Sequence, residues 1–155
     1  MNTILITGAN KGLGFETARR LLALGHTVYV GARDRERGED AAHRLNARFV
    51  PLDVTDDASV AAAAAWIEQQ RAGLDVNAAI AGDRVAPADT TAEHLRRVYE
   101  TNVFGVVRVT HAMLPLLRAS KSPIIVNVFT LSVRQGTFSG IQFSCGVKSR
   151  SLHIL

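Results

Sequence analysis

Short apolar runs alternate with helix-length amphipathic segments from the first residues of the chain onward. Ile4-Leu5-Ile6 and Thr27-Val28-Tyr29-Val30 read as buried strands. Phe49-Val50-Pro51-Leu52 reads as a third, whose proline assigns it a strand end or an edge position. Ile124-Ile125-Val126-Asn127-Val128 carries the strongest β signal, being β-branched at four of its five positions. Between these runs, Phe15, Ala18, Leu21 and Leu22 share one helical face, with Gly25 as the stop. Ser59 to Gln70 is an alanine-rich helix capped by Thr55 or Asp56 and stopped at Gly73. Thr90-Thr91-Ala92-Glu93 has the form of a capping box opening a further helix. A longer helical segment runs from about Asn102 to Ala119, with a kink expected at Pro115.

Strands alternating with helices imply right-handed βαβ units and a parallel sheet covered on both faces. The expected fold class is α/β, a Rossmann-type doubly wound sheet in the order 3-2-1-4-5, forming a single domain over residues 1–155. Composition leaves this picture intact, with 47% hydrophobic and 21% charged residues. The net charge of +4 points toward nucleic acid only weakly: basic residues are spread among acidic ones, no basic run reaches five, and aromatics are scarce. No nucleic-acid partner is expected. The longest unbroken apolar stretch, Val60 to Ile67, is far short of the ~20 residues that span a bilayer, so no membrane partner is expected either. Met1-Asn2-Thr3 leads directly into the first strand without a secretory leader pattern, and Cys145 has no second cysteine to pair with. Both features read as cytoplasmic. The five histidines show no metal-ligand spacing, Cys145 lacks an evident histidine partner, and no Gly-x-Ser-x-Gly elbow occurs. Metal and hydrolase chemistry are therefore not expected.

The most informative segment is Thr7-Gly8-Ala9-Asn10-Lys11-Gly12-Leu13-Gly14, which follows a strand and opens a helix. Gly8 permits a tight turn, Gly12 lets backbone approach a pyrophosphate, and Gly14 lets the helix pack closely on the strand. Amides exposed at the helix start, including those near Asn10 and Leu13, would hold the phosphates. No Gly-Lys-Ser/Thr follows, which excludes a P-loop. The second strand ends Gly31-Ala32, and the next residue is Arg33, where an acidic residue would bind the ribose hydroxyl of NAD. A guanidinium there suits a 2′-phosphate, and Lys11 could add a second positive charge. NADP is thus expected over NAD. Read otherwise, Arg33 and Lys11 are ordinary exposed cations, and Asp34 would weaken their field.

The Gly-x-x-x-Gly-x-Gly spacing after a threonine resembles the short-chain dehydrogenase/reductase family, and further matches follow in the family's order across nearly the whole chain. Leu52-Asp53-Val54-Thr55 is similar to the acidic turn that contacts adenine, Asn102 to the family's helix asparagine, and Ile125-Val126-Asn127-Val128 to the strand entering its active site. Lys148 falls near the family's lysine. The resemblance implies hydride transfer between nicotinamide and a small-molecule carbonyl or alcohol. It also implies a tyrosine that moves the accompanying proton, a lysine that raises its acidity, a serine that orients the carbonyl, and an asparagine that holds the lysine through a water. Self-association through the helices beginning near Asn102 and Lys148 is implied as well.

Several positions depart from the family pattern. Ser144 stands where the tyrosine is expected, and an aliphatic hydroxyl is far less acidic than a phenol. Thr130 or Ser132 would have to serve as the orienting hydroxyl. Tyr29 and Tyr99 read as core residues rather than substitutes. Around the fourth strand, Asn77-Ala78-Ala79 matches the end of the family's Asn-Asn-Ala-Gly motif if a few residues are lost; sliding the match to Ala79-Ile80-Ala81-Gly82 keeps the length but loses both asparagines. The chain ends at Leu155, shortly after Lys148, where family members continue. That reads as a sheet incomplete on its C-terminal side, with an exposed apolar edge on the fifth strand. Two functions remain open on these grounds. One is an NADP-dependent oxidoreductase. The other is a catalytically impaired dinucleotide-binding protein, or a truncated or frame-altered product without function.

Overall fold

The computed structural model describes residues 2–70, 74–78, 91–121, 123–133 and 136–142. Six strands form one sheet: β1 (Thr3–Thr7), β2 (Thr27–Ala32), β3 (Arg48–Pro51), β4 (Leu74–Ala78), β5 (Ile125–Val133) and β6 (Gly136–Gln142), in the order β3-β2-β1-β4-β5-β6. The first five run parallel and follow the expected order, while β6 pairs antiparallel with β5. Pro51 is the last residue of the edge strand β3, a place where a missing N–H costs no ladder bond.

Helices cover both faces. They are α1 (Gly12–Ala23), α2 (Arg35–Leu45), α3 (Asp57–Gln69), α4 (Ala92–Tyr99) and α5 (Gly105–Ala119), with a π-helical turn, Glu100–Phe104, joining the last two. The strand period of two sorts side chains between the faces. Ile4, Ile6, Val28 and Val30 bury with Ala18, Ala41 and Ala42 of α1 and α2. Leu5, Tyr29 and Val50 bury with Ile67 of α3 and Val109, Met113 and Leu117 of α5. The sheet is therefore doubly wound, as the sequence pattern implied.

Helix ends follow local chemistry. Gly25, at φ +82°, closes α1 with paired bonds from its own N–H to Leu22 and from His26 to Leu21, a Schellman arrangement. Asp56 caps α3 by accepting from the Ala58 N–H; that helix ends at Gln69, and Gly73 lies outside the described residues.

The structure corrects four expectations. The capping box sits one residue further on: Thr91 accepts from the His94 N–H, and His94 Nδ1, rather than Glu93, accepts from Thr91. The long helix expected from about Asn102 is α5, which starts at Gly105, ends at Ala119 as expected and contains Pro115; the residues before it form a π-helical turn that joins it to α4. The strand expected to end at Val128 runs on to Val133, because β6 supplies a backbone partner from Asn127↔Gln142 to Val133↔Gly136. The edge of β5 is thus paired rather than exposed. Tyr99 is half exposed, whereas Tyr29 is in the core against the edge of the Trp66 ring.

Candidate functional site

Parallel strands bring their C-terminal ends to one edge of the sheet, so the turns after β1, β2 and β3 become neighbours. The turn after β1 contains Gly8, Asn10, Lys11, Gly12, Leu13 and Gly14. Gly8 and Gly12 have φ of +67° and +60°, values that only glycine adopts without strain. A Cβ on Gly12 would meet no atom within 4 Å, so the turn presents bare backbone to open space. At Gly14 the same addition would lie 3.0 Å from the Gly8 carbonyl oxygen and the Ala9 Cα, which fixes Gly14 as the close contact between α1 and the turn.

The helix start behind this turn has no side-chain cap at Lys11 and no acidic residue in its first turn. Its leading N–H groups and positive dipole end therefore face outward with no carboxylate of their own helix to compensate them, which suits an anion. Leu13 is well exposed beside them. An open cleft of about 530 Å³ adjoins the turn, lined by Asn10, Lys11, Glu36, Arg37 and Asp40. These features fit a dinucleotide phosphate chain: bare backbone where phosphate would approach, donors aimed at it, and room beside it.

Arg33 follows β2 directly and is exposed, with no ion pair among the described residues. Asp34, next to it, is engaged elsewhere. It caps α2 by accepting from the Arg37 N–H at 3.0 Å, and its carboxylate lies 3.4 Å from the Arg37 guanidinium. After β3, Asp53 forms a tight turn in which Oδ1 accepts from the Thr55 N–H and hydroxyl at 2.9 and 2.7 Å. Its own N–H donates to Ser59 Oγ at 2.9 Å. Partial burial opposes ionisation of Asp53 most strongly, yet the two Thr55 donors and the Arg33 charge together hold its carboxyl below the ordinary carboxylate range. Val54, the middle residue of that turn, packs against the core of the α3/α5 face.

Of the remaining expected residues, Asn77 and Ser132 belong to strands on the other side of β1. Asn77 is in β4, level with Ile6, and Ala78 is level with Thr7, so β4 pairs all five residues of β1. Asn102 sits in the π-helical turn between α4 and α5, partly buried. Ser132 is in β5, opposite Thr137 of β6. Ser144 and Lys148 lie outside the described residues. The glycine turn, Arg33 and Asp53 are thus gathered at one sheet edge, and Asn102 is carried on a separate helical segment.

Four residues of this region have roles that the sequence reading did not assign them. Thr55 and Ser59 fix the Asp53 turn, and the Asp-x-Thr spacing is a signal that could have found the first of them. Gly105 brings α5 onto Val54, where a Cβ would lie 2.8 Å from Val54 Cγ2. Arg108, one helical turn beyond the π-helical segment, reaches back to the same turn and donates to the Val54 carbonyl at 3.4 Å. No local pattern marks either of these.

Comparison with known proteins agrees with this architecture. Residues 2–146 match the family model described as short chain dehydrogenase. The Short-chain dehydrogenase anuI of Penicillium roqueforti is 43% identical over 127 residues, covering 76% of this chain and 50% of that protein. Among solved structures, menthone neomenthol reductase from Mentha piperita superposes with a TM-score of 0.71 at 32% identity, covering 81% of this chain and 59% of that one. A 3-ketoacyl-(acyl-carrier-protein) reductase from Brucella melitensis, complexed with NADH, gives a TM-score of 0.68 at 27% identity, covering 76% and 50%. The chain spans about half the length of the curated relatives it matches. No helix among the described residues is long and apolar enough to cross a membrane. With its glycine turn, doubly wound sheet and matching relatives, the chain belongs to the short-chain dehydrogenase family of oxidoreductases.

Proposed function

We propose that this chain forms one NADP-binding domain of a cytoplasmic oxidoreductase that moves hydride between nicotinamide and a small-molecule carbonyl or alcohol. The observation that carries the preference for NADP is the pairing of Asp34 with Arg37 and the α2 amide. It engages the acidic residue that follows Arg33 in the chain in capping α2, away from the role of a ribose ligand, while Arg33 and Lys11 stay exposed. A 2′-phosphate offers both cations a ligand, and a 2′-hydroxyl does not. The Brucella reductase is complexed with NADH, and its cofactor is a statement about that protein alone.

In this reading Gly8, Asn10, Gly12, Leu13 and Gly14 hold the pyrophosphate, Arg33 and Lys11 the 2′-phosphate, and Asp53 and Val54 the adenine. Asn77 and Lys148 are assigned to the nicotinamide half. When bound, the nicotinamide would donate or accept the hydride. A positioned hydroxyl must donate the accompanying proton to the carbonyl oxygen in reduction, or accept it from the alcohol in oxidation, and the residues assigned to that step are Ser132, Ser144, Lys148 and Asn102. Leu95, Val98, Tyr99, Val103, Phe104 and Val107 expose apolar surface along α4, the π-helical turn and α5. That stripe supports self-association, which sedimentation of the purified chain tests directly: a monomer at all concentrations removes it.

The decisive experiment is calorimetric titration of the folded chain with NADPH and NADH. Saturable binding that favours NADPH is expected. Arg33→Asp should weaken NADPH by about tenfold or more, ~1.4 kcal/mol, and narrow or invert the preference. An Arg33→Asp variant with the wild-type preference would remove the NADP assignment. A folded protein that binds neither nucleotide would remove the whole reading.

A further inference from the structure

Arg108 joins three elements that are distant in sequence. Its guanidinium pairs with Asp57, the first residue of α3, at 2.7 Å and with Glu100, the first residue of the π-helical turn, at 2.5 Å. Its third contact is the Val54 carbonyl, in the turn that Asp53 organises. The Arg108 side chain is 26% exposed and that of Glu100 is half-buried, whereas Asp57 is exposed, so the Glu100 and Val54 arms are the shielded part of the clamp. Beneath it, Gly105 lets the start of α5 rest directly on Val54. Asn102 lies between Glu100 and Gly105 on the same helical segment. A planar fork with donors in several directions can serve three acceptors at once, whereas an ammonium on a flexible stem holds them less rigidly.

We propose that Arg108 is a positioning residue for nucleotide binding: it clamps the Asp53–Thr55 turn to the helical segment carrying Asn102, so that the adenine side of the site and that segment move as one unit. The proposal rests on the reading of the Asp53 turn as the adenine contact. It assigns Arg108 no contact with nucleotide or substrate.

The test uses the full chain and two probes, NADPH and adenosine 2′,5′-bisphosphate, which carries only the adenine half. Arg108→Met keeps the apolar stem and removes the fork. It should weaken both probes by about five- to tenfold at temperatures where the variant is fully folded, and Arg108→Lys should recover part of that loss. Arg96→Met breaks the exposed pair with Glu93 and should leave both affinities within about twofold. In hydrogen exchange, NADPH should protect the Glu100–Phe104 amides in the wild type and less so in Arg108→Met. Should Arg108→Met fail to fold, Glu100→Gln removes one arm of the clamp with less disturbance and should weaken the bisphosphate by about two- to threefold.

A merely structural arginine would lower the melting temperature of Arg108→Met and leave both affinities and the exchange pattern unchanged. Unchanged affinities in Arg108→Met, or in Glu100→Gln if the first does not fold, overturn the proposal while leaving the proposed function standing. A wild-type chain that binds neither probe overturns both.

Discussion

The two faces of the sheet are packed by opposite means. On the α1/α2 face the fully buried helix residues are small, Ala18, Ala41 and Ala42, against Ile4, Ile6, Val28 and Val30, and the larger Phe15, Leu21, Leu22 and Leu45 pack around them only partly buried. Gly14 and Gly38 bring the backbone closer still, since a Cβ on Gly38 would collide with the Phe49 ring. On the α3/α5 face the interior is filled by Leu5, Tyr29, Ile67, Met113 and Leu117. One face thus draws helices tightly onto the sheet, and the other fills volume with large side chains. The tight face is the one whose first helix opens at the glycine turn. A helix start can present its amides to a phosphate only if the backbone lies close to the strand end, and Gly14 provides that approach. The voluminous face becomes equally tight at one place, where Gly105 meets Val54 beside the Asp53 turn.

Opposite substitutions should therefore damage the two faces. Ile67→Ala, in the fully buried centre of the α3/α5 face, removes three carbons where neighbours cannot collapse completely, and should cost about 3 kcal/mol in urea unfolding. On the other face Ala41 is fully buried against the sheet, and Ala41→Leu should cost about 2 kcal/mol by overpacking. If Ala41→Leu unfolds at the wild-type urea concentration, the tight face has slack and the contrast fails. A smaller change separates binding from stability. Gly12→Ala places a methyl group at φ +60° with no protein atom near it, so folding should lose only about 1 kcal/mol. The methyl points into the space proposed for the phosphates, and NADPH affinity should fall about tenfold or more. Wild-type affinity in that variant would place the phosphates elsewhere.

The same contrast explains what the sequence made legible. Strands β1, β2 and the core of β5 announced themselves through β-branched runs, and the glycine turn through its place between strand and helix. The helix α2 did not. Its buried residues are Gly38, Ala41 and Ala42, amid charged neighbours, so a face built from small residues leaves almost no hydrophobic pattern to read. Strand β6, with glycines at 136 and 140, has weak β propensity and is held by its ladder with β5. At the candidate site, Gly8, Gly12, Gly14 and Arg33 were legible because each belongs to a turn following its own strand, and Asp53 was legible through family likeness. The Arg108 clamp was not, because its partners Val54 and Asp57 are brought to it by packing and not by proximity along the chain. Asn102 was found by family likeness, yet the π-helical turn around it follows from no residue pattern we recognised.

The smallest expected effect lies on the outer surface of the tight face, where α1 carries a charge cluster that packing does not involve. Glu16 accepts from Arg19 through both carboxylate oxygens, at 2.8 and 2.7 Å, and from Arg20 at 2.8 Å. The hydrogen bond from Arg19, then that from Arg20, hold its pKa at about 2 against an ordinary value of 4.5. The folded-state pKa is the lower one, so the unfolded chain takes up a proton first as the solution is acidified. The contribution of Glu16 to stability is therefore complete above about pH 4.5 and is lost as pH falls from there toward about 2. All three side chains are well exposed, and solvent and salt screen the cluster, so the effect should be slight. Melting temperatures at pH 7 and pH 3 provide the test. At low ionic strength the wild type should lose slightly more than Glu16→Gln between the two, and in 1 M salt the difference should vanish. Equal losses at low salt would mean that the Glu16 pairs, for all their short distances, add nothing to the fold, and that the stability of the α1/α2 face is a matter of packing alone.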